Sequence, residues 1–262
     1  MQHRTIVVGN GNVGVSLCAH LARRGASIAT VVRQPAAEEP PWPRYTFSEL
    51  DRVRATEHDL VLLAVSDDAI AEVSTSLAGT LPPTLSIAHL SGTTPVDAID
   101  PHFPHRGVLW PLQTFHHRAG PVRWTEEVPL LYAGHTATVR DRLTTFGHAY
   151  GHQVQQTTLE QRQHLHLAAV FANNFVNHCY QLAYEVCQEG GTDFELLLPL
   201  IRRTAAIQTG AEPARLQTGP AARGDVGTQR RHAELFGARS RVGGLYEQLS
   251  AAIGATAEAK SG

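Results

Sequence analysis

Along residues 1–157, short β-branched runs alternate with helix-length segments whose apolar positions recur every three or four residues. The runs are TIVVG (5–9), SIATVVR (27–33), DLVLLAV (59–65), LSIAHLS (85–91), GVLWPL (107–112), VPLLYAG (128–134) and HQVQQT (152–157). Near-continuous apolar runs such as DLVLLAV suit strands covered on both faces, because a sheet wet on one face would alternate apolar with polar. Strand and helix in alternation predict an α/β fold with a doubly wound, mostly parallel sheet. The Pro-rich stretch RQPAAEEPPWPRY is expected to cross the surface after the second strand.

From residue 158 the strand pattern stops, and a smaller all-α domain over 158–262 is predicted to follow the sheet domain over 1–157. LEQRQHLHLAAVFANNFVNHCYQLAYEVCQEGG reads as one helix of roughly eight turns ending at Gly190-Gly191, where a C-cap is expected. Thr192 with Glu195 three residues on has capping-box spacing for the next helix. SRVGGLYEQLSAAIGATAEA closes the chain as a last helix. The middle of the long helix is apolar nearly all round, so more than one neighbour must cover it, and a second copy of the chain is one source of that cover.

The chain has 262 residues, 42% of them apolar, enough for a full core. Its formal charge is −2 and Lys260 is its one lysine, so no basic face points to nucleic acid or anionic lipid. MQHRTIVVGNG lacks the apolar core of a secretory signal, and no uncharged apolar run approaches membrane-spanning length. A cytoplasmic protein is expected. Cys18, Cys179 and Cys187 form no CxxC pair. The last two lie roughly 12 Å apart along a helix, too far to bridge.

Gly9-Asn10-Gly11-Asn12-Val13-Gly14 is a GxGxxG turn that ends the first strand and opens a helix, with a second strand about 20 residues on, as a dinucleotide site requires. Gly9 permits the tight turn, Gly11 lets a pyrophosphate approach the backbone, and Gly14 lets helix and strand pack closely. Unpaired N–H groups at the helix start would face the phosphates. An acidic residue at the end of the second strand would select NAD through the ribose hydroxyl. Here the strand ends Val32-Arg33-Gln34. Arg33 suits a 2′-phosphate and puts NADP ahead of NAD, with a solvated strand-end charge as the alternative. Ligands of such sheets bind outside the carboxyl ends of the strands. Val65, Ser66 and Asp67 are therefore expected on the ribose and nicotinamide side, and His89, Ser91 and Gly92 at the reacting end. Asp67 and Asp68 could instead cap the helix beginning near Ala69.

VVGNGNVG, LLAVSDDAI, HLSGTT, WPLQTF, HLAAVFANNF and TGPAARGDVGTQRRH, in this order, resemble the Rossmann-like proteins that carry a DUF2520 C-terminal domain. These are commonly labelled NADP- or coenzyme-F420-type oxidoreductases. They are similar in plan to pyrroline-5-carboxylate reductases and, more distantly, to 6-phosphogluconate and 3-hydroxyacid dehydrogenases. The resemblance spans nearly the whole chain and implies a dinucleotide-binding domain, a helical domain and dimerisation through the C-terminal helices. It supplies no substrate. Trp110 stands where many relatives carry His or Tyr before PLQTF. The catalytic lysine of the hydroxyacid dehydrogenases, four residues before an Asn, is replaced by Ala169 ahead of Asn173, so a lysine-based mechanism is out of reach.

Reduction of a carbonyl needs a proton donor, whereas an iminium needs little beyond orientation and dryness. His166, Asn173 and Asn177 fall on one face of a regular helix and would form a polar stripe toward a substrate, a helix crossing or a dimer seam. His89 beside Ser91 is a second candidate acid, or a structural contact to its own loop. The candidate catalytic groups are thus His89, Ser91, His166 and Asn173, and the substrate is a small C=N or C=O compound. Fifteen histidines include close pairs at 102/105, 116/117, 148/152 and 164/166, but none has a recognisable ligand spacing, so no metal is expected. Cys179 is expected to be a buried small hydrophobe. In LQTGPAARGDVGTQRRH (216–232) Gly219-Pro220 should break one helix and Asp225 cap the next. The stretch would form a lid, with Arg223 binding an anionic substrate group or sitting in an ion pair. Thr218, Thr228 and His232 would be pocket walls, and Gln113 and Asn177 would join the substrate contacts.

Overall fold

The structure, a computed structural model, describes residues 4–34, 40–115, 128–208, 210, 212–236 and 241–261, with backbone only over 258–261. Residues 35–39 of the Pro-rich stretch and the pair His116 and His117 lie outside the described residues.

Eight strands form one sheet: β1 (Thr5–Val8), β2 (Ile28–Val32), β3 (Arg44–Thr46), β4 (Leu60–Leu63), β5 (Ser86–His89), β6 (His105–Pro111), β7 (Leu130–Gly134) and β8 (Val154–Gln156). Their spatial order is β3-β2-β1-β4-β5-β6-β7-β8. Every neighbouring pair is parallel except β6 and β7, which run antiparallel. The fold is therefore the doubly wound, mostly parallel sheet that the continuous apolar runs predict. β3 is an addition: RYT, three residues long, is too short to carry a period of its own and is specified by its pairing with β2.

Helices cover both faces of the sheet. α1 (Asn12–Arg23) precedes α2 (Leu50–Val53), α3 (Ile70–Ala78) and α4 (Ala137–Ala149). Val7 and Leu62 pack with Leu17 and Leu21 of α1 and with Leu143 and Phe146 of α4. Ile6, Val8 and Leu63 turn the other way, onto Leu50 of α2 and Ile70, Val73 and Leu77 of α3. Alternate residues of each central strand thus feed two separate cores, which is why those strands are apolar throughout.

The chain divides into two compact units, 1–173 and 174–262. The first takes in α5 (Leu159–Ala169), beyond the last strand at which the sequence places the domain boundary. The second contains α6 (Val176–Glu189), α7 (Leu198–Ala206), α8 (Val226–Phe236) and α9 (Arg241–Ser261). Within it Arg241 joins Glu185 at 2.7 Å.

Several helical expectations need correction. The long helix is not one regular helix: a π-helical segment over Val170–Phe175 separates α5 from α6. Its end is as expected, with Gly191 at φ 64° and the Thr192 N–H donating to the Cys187 carbonyl. The next cap is Asp193, whose carboxylate accepts from the Glu195 N–H at 2.9 Å. Thr192 instead turns its hydroxyl back to the Cys187 carbonyl at 3.3 Å. In the apolar middle Leu167 is 57%, Phe171 61% and Phe175 51% exposed. Cys179 shares that exposure and is not a core residue.

Candidate functional site

The glycine turn sits between β1 and β4, where the strand order reverses and an open α/β sheet leaves a crevice. Gly9 has φ 110°, and a Cβ there would lie 2.4 Å from the Ala64 carbonyl oxygen. A Cβ on Gly14 would lie 2.5 Å from the Gly9 oxygen. Both neighbours are backbone and cannot yield, so these glycines bring β1, β4 and α1 together. Gly11 differs: at φ −71° and ψ −176° it would meet nothing within 4 Å. Space on that side is what an approaching pyrophosphate needs. Gly11 is also the N-cap of α1, with no side-chain cap and no acidic residue in the first turn. The helix start keeps N–H groups free for an anion.

Asn10 is exposed and Val13 packs on the core beneath. Asn12 turns aside, its Nδ2 donating to the Phe115 carbonyl at 2.9 Å. Arg33 is exposed at the end of β2 and forms no ion pair among the described residues.

The loops after β4 and β5 are laced together. Val65 packs on the core, and Ser66 starts a 3-10 turn over Asp67–Ala69. Asp67 does not cap that turn. Its Oδ2 accepts from Ser91 Oγ at 2.7 Å and from Thr93 Oγ1 at 2.9 Å. Ser91 Oγ in turn accepts from the Thr93 and Thr94 N–H groups at 3.2 and 3.1 Å. Its proton and lone pairs are all engaged, so Ser91 is a loop staple, contrary to the expectation of a reacting group.

His89 requires the same correction. Its ring is fully buried, and Nδ1 accepts from the Ser91 N–H at 3.2 Å. The proton then resides on Nε2, which donates to the Pro95 carbonyl at 3.2 Å. Burial pushes the imidazole down to about 4, helped by the Arg162 charge and opposed by the Pro95 bond and Asp67. With both nitrogens bonded inside the fold, the ring makes the structural contact to its own loop that is the alternative to a candidate acid.

Beyond this loop stands Trp110 on β6. A Cβ on Gly92 would lie 2.6 Å from indole Cε2, so the loop presses its backbone on the ring. The His166 ring lies 5.8 Å from the Trp110 ring, tilted by 52°. His166 is exposed, as are Asn173 and Asn177. The regular helix that a single polar stripe requires is interrupted by the π-helical segment over Val170–Phe175, which contains Asn173. Gln113, also exposed, folds its Oε1 back onto the Thr114 N–H at 2.8 Å.

Sequence reasoning missed Arg162. It is 1% exposed, and its guanidinium reaches the Thr94 carbonyl at 3.4 Å and the Thr157 carbonyl at 3.5 Å. The surrounding QRQHLH is polar on every side, so no period marks which residue turns inward.

In the second unit, Gly219 and Gly224 take φ 106° and 65° around the expected turn. Asp225 caps α8 as expected, accepting from the Thr228 N–H at 3.0 Å and its hydroxyl at 2.7 Å. Those bonds, with the charges of Arg231 and Arg223, hold its carboxyl below the usual range. Thr228 is thereby committed to the cap, and His232 to Tyr246, whose hydroxyl lies 2.9 Å from Nδ1. A separate cavity of about 620 Å³ between α8 and α9 is lined by Gln229, Arg230, Tyr246 and Glu247. Arg223 is exposed on the turn, outside that lining, and Thr218 is exposed just before it. Among the described residues no cluster of His, Cys, Asp and Glu could hold a metal, and no helix is long and apolar enough to cross a membrane.

A search of curated proteins returns no match. Among solved structures, a candidate NADP oxidoreductase of Bacteroides fragilis is 27% identical, with TM-score 0.83 over 97% of this chain and 98% of its own. The pyrroline carboxylate reductase of Plasmodium falciparum, solved with NADP bound, is 12% identical, with TM-score 0.60 over 97% and 99%. The Aspergillus terreus reductive aminase, in complex with NADPH and ethyl levulinate, is 14% identical, with TM-score 0.59 over 89% and 78%. The last two likenesses are of fold alone. Residues 128–253 match the family described as a domain of unknown function, DUF2520. The chain accordingly combines a doubly wound, Rossmann-type sheet with a segment, 128–253, that matches the DUF2520 model.

Proposed function

We propose that this protein is an NADPH-dependent oxidoreductase that reduces a small C=N or C=O compound at the carboxyl ends of β1, β4 and β5. The observation that carries the reading is the glycine turn: Gly9 and Gly14 are closed against backbone while Gly11 opens on empty space at an uncapped helix start. The exposed Arg33 at the end of β2 supports NADP over NAD, and the likeness to the Bacteroides fragilis protein points the same way. Bound NADPH would supply the hydride. The chain's own part is to orient and to protonate. The Asp67–Ser91–Thr94 staple would shape the nicotinamide end, and His166 beside Trp110 would be the proton donor. Asn173, Asn177, Gln113 and Arg223 remain the proposed polar contacts for the substrate, Arg223 for an anionic group. Exposed Leu167, Phe171 and Phe175 support a homodimer in which a second copy covers them.

One observation favours a second reading, a dinucleotide-binding sensor or scaffold without turnover. His89 and Ser91, two of the groups placed to react, are consumed by loop structure. Titration with NADPH, NADH and coenzyme F420, followed by an imine and keto-acid panel read by loss of NADPH absorbance, separates the two. Tight NADPH binding with no oxidation across the panel would sink the enzyme reading.

A further inference from the structure

Arg162 is a buried cation with no anion beside it among the described residues. At 1% exposure its nearest acceptors are two carbonyls at 3.4 and 3.5 Å, its Nε has no partner, and no carboxylate lies within ion-pair distance among the described residues. Burying a lone charge is costly, and an apolar side chain of similar volume would serve packing better. What a guanidinium offers instead is a rigid fork that engages two separate segments at once. One segment is Thr94, in the loop whose Ser91 is bonded to Asp67. The other is Thr157, next to the Thr158 cap that starts α5.

One turn further along α5, four residues from Arg162, stands His166. Side chains at that spacing share a helix face. The face that Arg162 fastens to the loop is therefore the face that lays His166 beside Trp110, whose ring also abuts Gly92 of the same loop. We propose that Arg162 is a positioning residue: by clamping α5 to the loop after β5 through Thr94, it holds His166 in register with Trp110. The catalytic consequence rests on the reading of His166 as proton donor, but the geometric one does not.

Two independent readouts test it. In a Trp42→Phe, Trp124→Phe background Trp110 is the only indole, and a protonated histidine beside it quenches its emission. The pH-dependent step that disappears in His166→Gln should be lost in Arg162→Met and recovered at least in part in Arg162→Lys, which can still reach one carbonyl. Should the Met variant not fold, Arg162→Gln takes its place. The second readout is turnover: Arg162→Met should lower kcat on the order of 10- to 100-fold with NADPH affinity unchanged, as a misplaced catalytic group does, and Arg162→Lys should restore part of that loss. In the His166→Gln background Arg162→Met should cost nothing further. An unaltered quenching step in a folded Arg162→Met or Arg162→Gln variant, or kcat losses that multiply, overturns the proposal. If no substrate turns over, the enzyme reading fails while the fluorescence arm still decides the clamp.

Discussion

Ser91 Oγ donates to the Asp67 carboxylate at 2.7 Å, joining the end of β5 to the end of β4 across the mouth of the crevice. The same oxygen accepts from the N–H groups of Thr93 and Thr94. Ser91→Ala removes a partner from each of these groups in a site only 8% exposed. Unfolding in urea should show a loss of ~1–3 kcal/mol, the cost of leaving such groups unpaired. A variant as stable as the wild type would mean that water replaces the staple.

The three glycines of the turn should separate folding from binding. Gly11→Ala adds a methyl that meets no protein atom, at a backbone conformation alanine adopts freely. Its stability should stay within about 0.5 kcal/mol of wild type. NADPH affinity should fall about tenfold, worth ~1.4 kcal/mol, because the methyl occupies the approach to the pyrophosphate. Gly9→Ala, at φ 110° against the Ala64 carbonyl, should destabilise the fold by ~1–3 kcal/mol in strain alone. Fluorescence titration and thermal melts on the two variants distinguish the effects.

Arg33→Asp should reverse cofactor preference. The carboxylate would repel a 2′-phosphate and accept from a 2′-hydroxyl, so NADPH affinity should drop by about tenfold or more while NADH affinity holds or rises. Unchanged NADPH binding would remove the end of β2 from the cofactor argument.

His89 makes stability depend on acid. Its folded-state value, about 4, lies below the ordinary value of 6.5, so the unfolded chain binds the proton more tightly. The contribution is fully present above pH 6.5 and is lost as the pH falls toward 4, amounting to about 3 kcal/mol at 1.36 kcal/mol per pH unit. His152, also depressed by burial, adds in the same direction, so the comparison must be with His89→Gln. Urea midpoints between neutral and mildly acidic pH should fall less steeply in that variant.

Arg223→Ala tests the turn of the second unit. Arg223 is exposed beside Asp225, whose cap of α8 relies on Thr228 and not on this arginine. Helical content should therefore survive, NADPH affinity should be unchanged, and KM for an anionic substrate should rise about tenfold or more. Equal KM values for wild type and variant would leave Arg223 as a surface charge.

What could be read from the chain alone is what local physics dictates. The central strands were legible because each feeds a core on both faces, and the glycine turn because GxGxxG between a strand and a helix is itself a local pattern. The caps at Asp225 and Gly191 depend on a few adjacent residues. Tertiary structure alone decided the rest. β3 exists through pairing with β2, and β7 runs antiparallel to β6 in an otherwise parallel sheet. His89 and Ser91 became structural because Asp67 and Pro95 converge on them across the loops. Arg162 turned inward because Thr94, 68 residues away, offers its carbonyl there. A polar side chain carries no label for its partner, and over such distances only the folded sheet brings the two together.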